Sequence, residues 1–157
     1  MANVFISYYQ SDSAEKLVKK IADTLESAGI SCWYAPKRFY DKDALGEITR
    51  EIRECKVFLL ILTRDALKSR YVESETALAF RRVMNYENLT VLPFRADDCD
   101  LKENLRFAFY LNNLQIMNGA PSEERVPELC ERVVRIVSGK ASRRPAKMEP
   151  NRVTENL

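Results

Sequence analysis

A chain of 157 residues that is 46% hydrophobic and 31% charged, with four glycines and six prolines, has the make-up of one globular domain. Collagen-like, wholly disordered and multidomain organisations are excluded. The net charge of +2 is uneven: residues 139 to 157 hold Lys140, Arg143, Arg144, Lys147 and Arg152 against Glu149 and Glu155, leaving 20 basic and 21 acidic residues in 1 to 138 and no nucleic-acid footprint on the body.

Val4 to Tyr8 (VFISY) is a β-branched and aromatic run that reads as a buried strand. After a polar stretch, Tyr9 to Ser13, the residues Leu17, Val18, Ile21, Ala22, Leu25 and Ala28 recur at spacings of three and four, the stripe of an amphipathic helix, with Gly29 placed to cap it. Ile30 to Ala35 (ISCWYA) predicts a second strand. A charged loop, Pro36 to Leu45, and a short helix marked by Ile48, Ile52 and Cys55 follow. Val57 to Leu62 (VFLLIL) is apolar throughout, as in a central parallel strand covered on both faces.

Tyr71 to Asn85 places Val72, Thr76, Ala79, Phe80 and Val83 on one helical face, and Leu89 to Phe94 (LTVLPF) predicts a fourth strand ending near Pro93. Beyond an irregular region, Arg95 to Asn104, the segment Phe107 to Met117 suggests a helical turn and a weak fifth strand. Val126, Leu129, Cys130, Val133 and Val137 describe the last helix, closed by Ser138-Gly139. Pro145 and Pro150 forbid its continuation, so the expectation is a domain over 1–139 and a basic, disordered tail over 140–157. Strands alternating with helices predict an α/β fold: a flavodoxin-like three-layer sandwich around a parallel sheet of about five strands, with ligands beyond the carboxyl ends of the strands.

The chain has no histidine, which removes serine–histidine and cysteine–histidine triads and the commonest metal ligand. Cys32, Cys55, Cys99 and Cys130 form no CxxC pair, so they read as buried thiols of a reducing compartment, and no metal is expected. The longest apolar run is far shorter than the roughly 18 residues of a membrane span, and the amino terminus lacks a signal-peptide pattern. A cytoplasmic protein without membrane or nucleic-acid partners is the expectation.

The residues in order resemble the Toll/interleukin-1 receptor (TIR) domain family in its bacterial, stand-alone form. VFISY with Asp12 is similar to the family's first box, and CWYAP at 32 to 36 to the second strand entering the BB loop. KVFLLILTRDALKSRYVESETALAF at 56 to 80 resembles the third strand and the helix carrying the catalytic glutamate, and VLPFRAD at 91 to 97 the fourth strand. The family pattern S-x-W-V-x-x-E falls here on Ser69, Tyr71, Val72 and Glu75, with tyrosine in place of tryptophan. Lys37-Arg38 stand where Arg-Asp is frequent, and LNNLQIMN lacks the usual tryptophan.

The resemblance implies an NAD+ nucleosidase that breaks the nicotinamide–ribose bond to give ADP-ribose or a cyclic isomer, with NAD+ as substrate and no cofactor. It further implies that the product is a signal in bacterial antiphage (Thoeris-like) immunity, sensed by a downstream effector. The alternative is a non-catalytic TIR–TIR interaction module, or a host-directed effector, acting through the BB loop. Glu75 carries over as the catalytic acid, with Ser69 and Tyr71 beside the substrate. Helical spacing puts Tyr71, Glu75, Leu78 and Arg82 in one stripe at the margin of the buried face, with Glu73 at the opposite margin, and does not choose between the two glutamates. Tyr8 either covers the nicotinamide or ribose or lies in the core, and Trp33 is either core or a wall of the pocket. Lys37 and Arg38 meet the pyrophosphate or are solvated. Arg38 and Phe39 are the expected self-association contacts.

Overall fold

The computed structural model describes residues 2–35, 42–119 and 123–139. Five parallel strands, β1 (Val4–Ser7), β2 (Cys32–Trp33), β3 (Val57–Leu62), β4 (Thr90–Arg95) and β5 (Met117–Asn118), form one sheet in the order β2-β1-β3-β4-β5. The helices are α1 (Asp12–Ser27), α2 (Lys42–Glu54), α3 (Arg64–Leu67), α4 (Arg70–Met84), α5 (Leu105–Tyr110) and α6 (Val126–Val137). This is the expected doubly wound, flavodoxin-like arrangement. The chain leaves β1 toward β2 on one side and returns to β3 on the other, so the strand order reverses between β1 and β3.

Alternation along the strands divides the core. Val4 and Ile6 of β1 and Val57, Leu59 and Ile61 of β3 pack with Leu17, Val18, Ile21 and Leu25 of α1 and Leu129 and Val133 of α6. Phe5 of β1 and Phe58, Leu60 and Leu62 of β3 point the other way, toward Ile48 and Ile52 of α2, Val72 and Ala79 of α4, and Phe107 of α5. Phe5, Phe58 and Trp33 stack on this second face, with ring centroids 5.5 Å apart for Phe5–Phe58 and 5.1 Å for Phe5–Trp33.

The element ends follow from caps and turns. Ser11 accepts from the Ala14 amide to start α1, and Gly29 takes a φ of 84° after its last turn, the left-handed conformation that glycine adopts without strain. β2 is shorter than its apolar run predicts: only Cys32 and Trp33 pair with β1. The short α3, begun by Thr63 accepting from the Ala66 amide, lies between β3 and α4, where the sequence reading places no element.

β4 continues through Pro93 to Arg95 rather than ending there. Thr90 and Ala96 donate their amides to Lys56 and Leu62, so even-numbered residues of β4 face β3 and odd-numbered ones face β5. Pro93, which has no amide to give, therefore faces the β5 side one residue before that ladder begins at Phe94–Met117. Gly119 follows β5 against the Phe94 ring, where a Cβ would collide with it. No described helix is long and apolar enough to cross a membrane. The expected tail over 140–157 lies outside the described residues.

Candidate active site

The buried stripe of α4 is Val72, Glu75, Thr76 and Ala79, spaced i, i+3, i+4, i+7. Glu75 thus belongs to the face laid on the sheet, and at 4% exposed it is more deeply placed than a residue at the margin of that face. The reason lies in β1. Ser7, 1% exposed and on the same side as Phe5, is small enough to admit the glutamate, and its Oγ donates to Glu75 Oε1 at 2.6 Å. A carboxylate is almost never buried this far without partners, because leaving water costs a charge heavily. The pair sits at the carboxyl end of β1, beside the β1/β3 reversal, where this sheet topology places ligands.

Glu73 has a different fate. Its Oε2 accepts from Arg106 Nη1 at 2.8 Å and its Oε1 from Asn104 Nδ2 at 3.3 Å, tying α4 to the start of α5. Arg82, from the stripe that the spacing shares with Glu75, is occupied elsewhere. Its Nη1 donates to the Ile52 and Cys55 carbonyls at 2.9 and 2.6 Å, at the end of α2, and its Nε pairs with Glu87 at 2.9 Å. A cation on the last carbonyls of a helix is favourably placed in the helix dipole.

The remaining predicted residues fall into three groups. Ser69 caps α4, accepting from the Val72 amide at 3.2 Å, and so sets where the helix carrying Glu75 begins. Tyr71, two residues on, is 51% exposed in the first turn. Tyr8 lies on the α1 side of the sheet, away from the face that holds Ser7 and Glu75. Its hydroxyl donates to the Ala35 carbonyl at 2.7 Å and its ring meets Tyr34 edge-on at 6.3 Å. Burial, helped by Glu15, Tyr34 and Glu75, pushes the Tyr8 hydroxyl well above its ordinary titration range. Tyr9, the next residue, is exposed.

Trp33 packs on the α2 side, stacked on Phe5, with Nε1 donating to Glu47 Oε1 at 3.1 Å. Lys37, Arg38 and Phe39 lie outside the described residues. Ser7 and the Glu73 partners Asn104 and Arg106 are absent from the sequence reading. For Ser7 the available signal is a hydroxyl in an otherwise apolar strand end.

A five-stranded parallel sheet ordered 2-1-3-4-5, with an acidic side chain held at its switch point, defines a doubly wound α/β domain. The family model for the TIR domain matches residues 4–142, and the chain belongs to that family. The fold is similar to the TIR domain of the Toll-related receptor TRR-2 from Hydra magnipapillata, at 13% identity and a TM-score of 0.64 over 88% of this chain and 99% of that one. It is also similar to the RPS4 and RRS1 TIR domain heterodimer, at 19% identity and a TM-score of 0.61 over 87% and 96% of the chains. A third likeness is to a metazoan TIR-STING receptor from C. gigas in complex with 2',3'-cGAMP, at 18% identity and a TM-score of 0.61 over 85% of this chain and 39% of that one. No curated protein matches in sequence.

Proposed function

We propose that this TIR domain is an NAD+ nucleosidase with Glu75 as its catalytic carboxylate. The observation that supports the reading most is the burial of Glu75 against Ser7 at the β1 end, a carboxylate where a purely structural helix would carry an apolar residue. In the reaction the bond between ribosyl C1′ and the pyridinium nitrogen breaks and its electron pair stays on nitrogen. Nicotinamide leaves neutral and needs no acid, which suits a chain without histidine. The ribosyl group becomes oxocarbenium-like, and a fixed carboxylate beside it stabilises that positive charge. Water adding to C1′ gives ADP-ribose and releases a proton; a nucleophile of the same molecule adding instead gives a cyclic isomer. Such a product would be a signal for a downstream effector, in bacterial antiphage immunity on the family's pattern.

Purified protein at high concentration, incubated with NAD+, should release nicotinamide measurable by chromatography. Glu75→Gln should release at least roughly 100-fold less, the scale of one lost electrostatic stabiliser. No release by the unaltered protein at any concentration would overturn the reading.

A second reading, a module acting through TIR–TIR contacts, is favoured by the likeness to the RPS4 and RRS1 heterodimer. Self-association through the loop bearing Arg38 and Phe39 would make specific activity rise with protein concentration by mass action. Replacing both residues by alanine should then weaken association and activity together. Association without any NAD+ consumption would leave the module alone.

A further inference from the structure

Ser7 departs from the pattern of its strand. It follows Val4, Phe5 and Ile6, stands opposite Leu60 in the β3 register, and is as buried as they are. An aliphatic side chain at this point would bury more apolar surface, whereas a hydroxyl without an acceptor would be penalised. The acceptor comes from 68 residues further along the chain, and the 2.6 Å separation is that of a short O–H···O bond. The partner is a side chain with three torsions, of which the helix constrains the first and leaves the last broad. The hydroxyl adds a constraint that the helix does not supply.

We infer that Ser7 is a positioning residue, whose hydroxyl holds the Glu75 carboxylate against the end of β1 and so presents it to the ribosyl carbon in one orientation. The inference rests on the reading of the site as a nucleosidase and adds to it how the carboxylate is aimed. Ser7 itself touches no reacting atom; it acts through Glu75. Because Ser7 pairs with Leu60 of β3 at the end of β1, its backbone is held by the sheet, and the hydroxyl reaches the carboxylate from a fixed point.

The test uses Ser7→Ala and Ser7→Thr in the full chain, with melting temperature, kcat and KM for NAD+, and a crystal structure of Ser7→Ala. Misplacing a reacting group by about 1 Å costs on the order of 100-fold, so Ser7→Ala should lower kcat by about 10- to 100-fold with KM changed less than about threefold. Ser7→Thr, which restores the hydroxyl, should return kcat to within about threefold of the original. In the Ser7→Ala crystal the Glu75 carboxylate should be displaced or split between conformers. Unchanged kcat in Ser7→Ala, an effect confined to KM, or a carboxylate that keeps its place overturns the inference while leaving the nucleosidase reading intact. If the unaltered protein releases no nicotinamide, that reading falls, and the carboxylate position in the Ser7→Ala crystal decides the inference by itself. Should the threonine methyl unfold the protein, kcat and the crystal structure of Ser7→Ala still decide it.

Discussion

The two faces of the sheet are built from the same strands and do different things. Toward α1 and α6 the buried side chains are aliphatic apart from Cys130, Met117, the Phe94 ring and Tyr8, whose hydroxyl donates to the buried Ala35 carbonyl. Toward α2, α4 and α5 the core is equally well filled, yet Ser7, Glu75 and Thr76, the buried polar and charged residues among those described, all lie on this side. The first face is scaffold. The second carries a group whose burial opposes folding, which is the usual mark of a site retained for chemistry.

The largest expected effect separates two glutamates of one helix. Glu75→Gln should cut NAD+ turnover by at least roughly 100-fold while the melting temperature holds or rises, because it removes a buried charge without changing volume. Glu73→Gln, which loosens only the half-exposed pair with Arg106, should leave turnover within about threefold and stability within about 1 kcal/mol. The reverse ranking, measured by nicotinamide release and thermal melts on both variants, would move the site to the α5 side of α4.

High pH tests both faces together. Burial raises every thiol from its ordinary 9.0, Cys32 and Cys99 to about 12 and Cys55 and Cys130 to about 11, and raises Tyr8 as well. The folded state therefore holds these protons more tightly than the unfolded chain. The stability they contribute is complete below about pH 8.5 and is lost as pH climbs through the raised values. With no histidine to titrate, the melting temperature should be nearly flat from about pH 6 to 8 and fall by several degrees between about pH 9 and 11 under reducing conditions. A steep change near pH 6.5 would contradict this account.

Tyr8→Phe comes next in size. It deletes the hydroxyl that joins β1 to the end of β2 and should cost about 1 kcal/mol, or roughly 3 °C for a domain of this length. Its effect on turnover should be smaller than that of Glu75→Gln, since the ring lies across the sheet from the carboxylate.

The sheet was legible because its signals are local and redundant. The VFLLIL run, the α1 stripe and Gly29 each report an element without reference to the rest of the chain. The missed features depend on partners. Pro93 reads as a strand end until one knows that its missing amide faces the side where β5 has not begun. The fifth strand, two residues long, gives only the weak signal read in Phe107 to Met117, whereas α3 is a single capped turn, too short for periodicity to reveal. At the site, the family resemblance singled out Glu75, which spacing could not separate from Glu73. What separates them physically is Ser7, a small residue on a strand far away in sequence. For Trp33 and Tyr8 the sequence does not choose between core and pocket, and the fold sends them to opposite faces of the sheet.

The smallest expected effect asks whether every polar group on the second face belongs to the site. Thr76 is adjacent to Glu75 and fully buried, yet its Oγ1 donates to the Val72 carbonyl at 2.8 Å, one turn back in its own helix. That bond is local and needs no tertiary partner. Thr76→Val keeps the branched shape and removes the hydroxyl, and Val72 still accepts the ordinary helical bond, so no buried donor or acceptor is stranded. Stability should change by less than about 1 kcal/mol, and turnover by less than about twofold. A tenfold fall in kcat at unchanged melting temperature would extend the site from the Ser7–Glu75 pair to its helical neighbour. The difference between the two faces would then be a network of three groups in place of one aimed carboxylate.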